Sequence, residues 1–174
     1  MVIIITDKVA RIIKNKKKLE KILKVKITNS GKEVTFEGTP EGEYEAEKVL
    51  DALNLGFSFS DAISIKEKEF EFDKINIREF VRRGNNMEKI RGRIIGRNGK
   101  VLSALSQLTK CSIELKNNEV GIIGNPEDIK SAIDSLIHII QGGKHSNVYK
   151  GLEKRKGEPD FDLGLKGKEG NKNL

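Results

Sequence analysis

The chain has 174 residues and a net charge of +7; 34% of its residues are charged, 5% are aromatic, and none is Trp. This length predicts one domain or two small ones, with aliphatic cores. One Cys and two His exclude an internal disulfide and do not favour a zinc site, so we expect no metal, no cofactor and a reducing compartment. No apolar run reaches membrane length, and we expect a cytoplasmic protein.

The first third of the chain combines a basic run with a strand and helix pattern. Lys14 to Lys26 carries a net charge of +6. Alternating apolar residues then predict two strands, around residues 25–27 and 34–36. Thr39-Pro40 is typical of a helix start, and the spacing predicts a helix over 43–53 that Gly56 ends. The residues predicted to point inward from this helix are Ala46, Val49, Leu50 and Leu53.

The middle of the chain begins with an apolar stretch from Phe57 to Ile65, which we expect to pack between two halves of the protein. Residues 69–73 alternate Phe with charged residues and predict a strand, and residues 77–81 predict one helical turn. The run from Arg82 to Lys100 again carries a net charge of +6. Positive charge focused in this way is typical of proteins that bind nucleic acid.

The most informative stretch is Arg91-Gly-Arg-Ile-Ile-Gly-Arg-Asn-Gly-Lys-Val101. It predicts a helix that ends at Gly96 and a second helix that begins after Gly99. Two glycines three apart allow a sharp turn without β-carbons, so a phosphodiester strand can approach backbone amides at a helix N-terminus. Arg97 and Lys100 add charge at the same place. The stretch therefore predicts the Gly-x-x-Gly loop of a KH domain, which clamps about four nucleotides of single strand.

Two other interpretations of the glycines are weaker. A second Gly-x-x-Gly, Gly121 to Gly124, has apolar middle residues and lies in a predicted strand, so we interpret it as packing. A nucleotide-binding P-loop is excluded because Val101 follows Gly99-Lys100 in place of Ser or Thr. Ile94 also stands where the first glycine of a P-loop should be.

The elements that follow the loop have the order of a KH domain. A helical pattern over residues 101–110 precedes two strands, the first starting at Cys111, joined by Asn117-Asn118. Asn125-Pro126 then starts a last helix, which Gly142-Gly143 stops. Helix, loop, helix, strand, strand, helix predicts an α+β fold. The residues predicted to point inward from the last helix are Ile129, Ile133, Leu136, Ile137 and Ile140.

The same pattern occurs twice in the chain. Strands and helix starts of the two copies correspond at an offset of 86 residues, as Ile27 and Ile113 do. Arg11-Ile12-Ile13, however, corresponds to Arg93-Ile94-Ile95 at an offset of only 82. The first copy is therefore four residues shorter at the loop, where it has Lys14 to Lys17 and no glycine. We predict two tandem type I KH domains, each a three-stranded sheet packed with helices, of which the first is degenerate.

The predicted domain limits follow from this repeat. Residues 1–66 form the degenerate KH domain, residues 67–156 the RNA-binding KH domain, and residues 157–174 a flexible charged tail with four glycines. Because the first copy has no glycine loop, we expect it to bind RNA weakly and without base preference. Its main role would then be that of a platform for the second domain or for another protein.

Residues 91–156 carry the motifs of a known family: Gly-Arg-Ile-Ile-Gly-Arg-Asn-Gly-Lys, then Ile-Ile-Gly-Asn, then Gly-Gly-Lys-His-Ser-Asn-Val-Tyr-Lys. With Leu-Gly-Phe-Ser at residues 55–58, they resemble the archaeal KH-domain ribosome-assembly family. Its eukaryotic relatives are partners of the PIN-domain endonuclease that matures small-subunit rRNA. The resemblance implies that the second KH domain binds the 3′ region of small-subunit rRNA during assembly. It also implies two protein partners, this PIN-domain endonuclease and the alpha subunit of initiation factor two.

The glycine-free first copy departs from archaeal members that keep glycines in both copies. It resembles instead the degenerate first KH domain of the eukaryotic relatives, and the departure puts RNA binding by the first domain in doubt.

The residues predicted to bind RNA form three groups. The loop would clamp the backbone, with Arg97 and Asn98 facing phosphates; a basic track would extend it; and an apolar groove would hold bases. The clamp is Gly96, Arg97, Asn98, Gly99 and Lys100; the track is Arg82, Arg83, Arg91 and Arg93; the groove is Ile95, Leu102 and Ile113. For the track, the alternative is a solvated basic face.

For the whole chain, two alternatives remain open: a protein-interaction scaffold, or a general translation-related KH protein that binds RNA. We expect no enzyme, because no acid pair, Ser-His or Cys-His arrangement, or metal-ligand cluster stands out. Cys111 and His138 are interpreted as structural residues.

Overall fold

The computed structural model describes residues 1–157. The predicted flexible tail lies outside the described residues except for Gly157, which is the last residue of a helix. Within the described range, no helix is both long enough and apolar enough to cross a membrane.

Two units of the same construction follow one another along the chain. The first unit consists of β1 (Val2–Ile5), α1 (Val9–Lys14), α2 (Lys16–Leu23), β2 (Val25–Ser30), β3 (Glu33–Gly38) and α3 (Pro40–Leu55). Helix α4 (Phe59–Glu67) connects the units. The second unit consists of β4 (Glu71–Asn76), a 3-10 turn (Ile77–Glu79), α5 (Met87–Ile95), a 3-10 turn (Arg97–Gly99), α6 (Lys100–Thr109), β5 (Ser112–Lys116), β6 (Glu119–Gly124), α7 (Pro126–Ile140) and α8 (His145–Gly157).

The two sheets have the same topology. Each has three antiparallel strands, in the order β1-β3-β2 in the first unit and β4-β6-β5 in the second. Ile27 pairs with Phe36 in the first sheet, and Ile113 pairs with Ile122 in the second. Ile27 lies 86 residues before Ile113, and Phe36 lies 86 residues before Ile122. The repeat read from the sequence is therefore also a repeat of the strand pairing. The predicted α+β fold with two KH-type units is confirmed.

Local sequence signals explain where the long helices begin. Helix α3 starts at Pro40, and the Thr39 hydroxyl accepts a hydrogen bond from the Gly42 N–H. In α5, the Asn86 side chain accepts hydrogen bonds from two first-turn amides. Asn125 precedes Pro126 at the start of α7 as predicted, but its side chain makes no capping hydrogen bond.

The cores of both units are aliphatic, as the composition predicts. All four predicted inward residues of α3 are at most 2% exposed. The buried face of α7 is shifted from the prediction: Ile129, Leu136 and Ile140 are buried, but Ile133 and Ile137 are only partly covered and Ile139 is fully buried. His138, which is interpreted as a structural residue, has an exposed side chain. Cys111 is buried directly before β5, not within it.

Strand β6 is covered on both faces, and this explains its nearly unbroken apolar sequence. Val120 and Ile122 lie in the second core, whereas Ile123 lies in the first core. A β-carbon on Gly121 would lie 2.8 Å from Cε2 of Phe57, and one on Gly124 would lie 2.8 Å from the Cys111 sulfur. The interpretation of this second Gly-x-x-Gly as packing is confirmed.

Helix α4 and the turn before it join the two units. Phe57 is fully buried, and its ring meets the Phe72 ring edge-to-face at 6.1 Å. Asp61 accepts a hydrogen bond from the Ser112 hydroxyl at 3.1 Å, and the Lys116 ammonium donates to the Asn54 carbonyl at 3.0 Å. The stretch from Phe57 to Ile65 therefore packs between the halves, as predicted.

Candidate nucleic-acid interface

The loop between α5 and α6 begins with a position that only glycine can occupy. Gly96 has φ +73° and ψ 178°, a region almost closed to other residues. A β-carbon there would lie 2.3 Å from Cγ2 of Val101 and 2.9 Å from its backbone nitrogen. Gly96 therefore lets the end of α5 pack directly against the start of α6.

The second half of the loop is open to solvent. Asn98 and Gly99 both have left-handed backbone conformations, with φ of +56° and +73°. No heavy atom lies within 4 Å of the place where a Gly99 β-carbon would be. The Gly99 N–H donates to the Gly96 carbonyl at 3.3 Å, which closes the turn. The open side of Gly99 leaves room for another chain to approach the backbone.

The charges around the loop favour an anion. Arg97, Asn98 and Lys100 are exposed. Helix α6 starts at Lys100 without a side-chain cap, so its positive dipole end is not covered by a carboxylate. A phosphate at the open side of Gly99 would face this helix end and two cationic side chains.

Two residues of the predicted basic track make hydrogen bonds within the protein. Arg91 Nη1 donates to the Asn118 side chain at 2.8 Å. Arg93 Nη2 donates to the Gly143 carbonyl, and the His145 ring lies 2.9 Å from the Arg93 carbonyl oxygen. The Arg93 Nε is buried and has no hydrogen-bond partner among the described residues. Arg93 thus ties α5 to the start of α8, and a phosphate could recruit its guanidinium only by disturbing this contact.

The other two track residues are free to move. Arg82 and Arg83 are exposed, in the segment between the first 3-10 turn and α5. Within the described residues, neither forms an ion pair. They can therefore extend toward an anion at the cost of side-chain entropy alone.

The predicted apolar groove is only partly available at the surface. Ile95 is 38% exposed and Leu102 is half-buried, so both offer apolar surface beside the loop. Ile113 is only 5% exposed and belongs to the second core. It therefore offers little area to a base.

Helix α8 was not predicted from the sequence, although its start contacts α5 through Arg93. The last helix is predicted to end at Gly142-Gly143, with no helix after it, whereas α8 follows directly. Val148 and Leu152 are buried, and α8 packs on α6 and α7. Their four-residue spacing is the signal that could have indicated a further amphipathic helix.

Clusters of metal ligands and reactive thiols are the features of residues 1–157 that bear on metal binding and catalysis. These residues contain no group of three or more His, Cys, Asp or Glu that could hold a metal ion. Burial raises the pKa of the Cys111 thiol to about 11, so it stays protonated at neutral pH and is a poor nucleophile.

Comparison with known proteins places this geometry in a family. The family model for the second KH domain of PNO1, a eukaryotic-type KH domain of type I, matches residues 71–157. A KH domain-containing protein of Methanocaldococcus jannaschii is 28% identical over 147 residues, which are 81% of this chain and 65% of the relative. The RNA-binding protein pno1 of Dictyostelium discoideum is 27% identical over 60% of this chain and 45% of its own length. The chain thus spans less than two thirds of these curated relatives.

Solved structures agree with the sequence comparison. Dim2p from Pyrococcus horikoshii OT3 superposes with a TM-score of 0.81 at 28% identity, over 88% of this chain and 98% of that one. The aDim2p of the same organism, crystallised in a complex with a/eIF2alpha and rRNA, gives a TM-score of 0.82 at 28% identity, over 90% and 93% of the two chains. With a matching family model over half its length and the same tandem architecture, the chain belongs to the KH-domain family that includes PNO1 and archaeal Dim2p.

Proposed function

We propose that this protein binds single-stranded RNA through the Gly96–Gly99 loop of its second KH domain, residues 67–156. The RNA would be the 3′ region of small-subunit rRNA, bound during assembly of the small ribosomal subunit. The protein would act by binding alone, without catalysing a reaction.

The observation that carries this proposal is the asymmetry of the two loop glycines. Gly96 is locked by Val101, whereas the Gly99 side of the turn is empty. A rigid turn with one open backbone face fits a sugar-phosphate chain, because the phosphate meets amides and a helix N-terminus without a side chain in between.

The relatives support the RNA and its origin. The Dictyostelium relative is an RNA-binding protein, and the Schizosaccharomyces pombe relative, 28% identical over 105 residues, is a pre-rRNA-processing protein. The Pyrococcus structure contains rRNA together with a/eIF2alpha. We therefore propose the initiation factor two alpha subunit as one protein partner. The family resemblance adds the PIN-domain rRNA endonuclease as a second proposed partner. The single Cys and the absence of an apolar run of membrane length in the sequence support the cytoplasm as the proposed compartment.

The first prediction tests the clamp. Replacing Arg97 and Asn98 with Asp adds two carboxylates at the exposed loop tip, where they repel a phosphate backbone. We expect affinity for a single-stranded RNA of the small-subunit 3′ region to fall at least about tenfold, which corresponds to 1.4 kcal/mol. Thermal unfolding should be little changed, because both side chains are exposed. Fluorescence anisotropy at fixed salt measures the affinity.

A matched control makes the same change in charge at the start of α7, outside the loop. Asn125→Asp with Lys130→Asp alters two exposed residues at the start of α7, and it should leave RNA affinity within about twofold of the parent. If the loop variant binds as tightly as this control, the clamp assignment is wrong and a protein scaffold becomes the better explanation.

A further inference from the structure

The surface of α2 in the first unit differs in charge from the corresponding surface of α6, the helix that follows the loop in the second unit. Helices α2 and α6 match at the offset of 86 residues: Leu19 and Leu105 are both fully buried. Lys24 and Lys110 also match at this offset. They follow the last residues of α2 and α6, and both have a left-handed conformation, with φ of +54° and +57°. The correspondence is therefore one of structure as well as sequence.

At this matched surface, four neutral residues are replaced by lysines. Leu102, Ser103, Ala104 and Gln107 of α6 correspond to Lys16, Lys17, Lys18 and Lys21 of α2. The second unit offers a small, partly apolar surface here, and the first unit offers charge. The surface of α6 is therefore suited to contact bases, and the surface of α2 is suited to contact phosphates.

These lysines belong to a larger exposed group, which we name the lysine face. Its members are Lys14, Lys17, Lys18, Lys21, Lys24 and Lys26, all exposed. Glu20 is the one acid between Lys14 and Lys26. Its carboxylate accepts a hydrogen bond from the Ile27 N–H at 2.8 Å and lies 4.0 Å from the Lys16 ammonium. One carboxylate offsets one of the seven lysine charges, so the segment from Lys14 to Lys26 keeps a net charge of +6.

The first unit cannot clamp a single strand in the way of the second. Only Asn15 separates α1 from α2. Its φ of −109° is negative, as in most residues, whereas Gly96 and Gly99 both have a positive φ. Where Leu102 lines the loop of the second unit, the first unit has Lys16, so the apolar surface on which an unpaired base could rest is reduced. What remains is an array of long, flexible cations.

We propose that the lysine face binds the sugar-phosphate backbone of an RNA duplex. Double-stranded RNA is recognised mainly by shape and by phosphate and 2′-hydroxyl contacts, which need neither a glycine turn nor a base pocket. Side chains three and four residues apart on a helix lie about 5–6 Å from one another, so Lys17, Lys18 and Lys21 of α2 form a compact group of cations. Lys14 is the last residue of α1, two residues before α2 begins.

RNA fits better than an acidic protein because the matched surface of the second unit is the proposed RNA site. A folded rRNA that supplies a single strand to the loop also supplies duplex segments. This step rests on the proposed function, and separate variants of the two surfaces keep the two proposals distinguishable.

The second prediction replaces Lys14, Lys17, Lys18 and Lys21 with Gln in the full chain. The probe is an RNA duplex of about 16 base pairs and arbitrary sequence. Each lost phosphate contact should reduce the slope of log K against log salt by about 0.9, the value for a duplex, so we expect a reduction of about 3 to 4. Affinity for single-stranded RNA at moderate salt should stay within about threefold, because the Gly96–Gly99 loop is intact.

The control replaces four exposed lysines outside the lysine face, Lys68, Lys110, Lys130 and Lys154, with Gln, which changes the net charge by the same amount. It should keep the parent's slope on the duplex. Circular dichroism confirms that both variants are folded. The proposal is overturned if the parent does not bind the duplex, if the control loses as much slope as the lysine-face variant, or if the lysine-face variant keeps the parent slope. Retained duplex binding together with loss of an acidic protein partner would assign the lysine face to that protein instead.

Discussion

At the scale of single residues, the two glycines of the loop have different physical roles. Gly96 is required for the fold, because a β-carbon there would overlap Val101. Gly99 is favoured by its left-handed backbone, and its open side is available to a ligand. A motif that looks symmetrical in sequence therefore separates into a packing position and a binding position.

The third prediction compares Gly96→Ala with Gly99→Ala. The first substitution forces a collision with Val101 in a Gly-only backbone region and should reduce the free energy of unfolding by about 3 kcal/mol or more. The second should reduce the free energy of unfolding by only about 1–2 kcal/mol, the cost of a left-handed conformation for a residue with a β-carbon. It should nevertheless weaken RNA binding even where the variant is fully folded, because its β-carbon lies on the open side of the loop. Urea unfolding and RNA binding at a temperature where both variants are folded measure the two effects. Equal RNA affinity of Gly99→Ala and the parent would contradict the binding role of Gly99.

The sequence was sufficient to locate this loop but not to orient the arginines around it. Glycine spacing and the helix patterns on either side are local signals, and the structure has the turn where they indicate it. Arg91 and Arg93 are two residues apart and so lie on different sides of α5. Each bonds a group distant in the chain, at Asn118 or Gly143, and nothing local specifies such partners.

At the scale of secondary-structure elements, the sequence did not indicate helix α8, whereas the apolar sequence of strand β6 is explained by the fold. Helix α8 has lysines and an arginine around its two buried residues, and the preceding Gly142-Gly143 suggested an end of structure. Strand β6 shows the opposite case. Its nearly unbroken apolar sequence is typical of a strand covered on both faces. The fold shows that α3 of the first unit and the connecting helix α4 supply the second cover.

The fourth prediction tests whether α8 is an integral part of the second unit. Leu152 is 4% exposed and belongs to the second core, so Leu152→Ala should reduce the free energy of unfolding by about 2–5 kcal/mol. The neighbouring Glu153 is exposed, and Glu153→Ala should change stability by less than about 0.5 kcal/mol. Chemical denaturation of the two variants makes the comparison. Equal stability would mean that α8 is an appendage.

At the scale of the whole molecule, residues of the second sheet contribute to the core of the first unit. Ile123 of the second sheet belongs to the first core, and Phe70 and Phe72 pack against that core from the second unit. An ion pair between Lys74 and Asp51, with the nitrogen 2.6 Å from the oxygen, adds a polar contact at the edge of the same interface. A chain cut between residues 66 and 67 would therefore expose apolar surface on both pieces. For this reason, variants of the full chain are better tests of each unit than separate halves.

The fifth prediction is that Phe57→Ala destabilises both units together. Phe57 is fully buried, its ring contacts Phe72, and it fills the space above Gly121 on β6. Removing the ring leaves a cavity between the units and should cost about 3–5 kcal/mol. Tyr44 is 60% exposed, so Tyr44→Ala is a control of the same kind with an expected cost below about 1 kcal/mol. Urea unfolding, followed by circular dichroism and by hydrogen exchange of the β3 and β6 amides, reports on each unit. Because the cavity borders both units, we expect β3 and β6 to lose protection in one transition at a lower urea concentration. Two separate transitions, of which only one shifts, would show that the units fold independently despite the apolar interface between them.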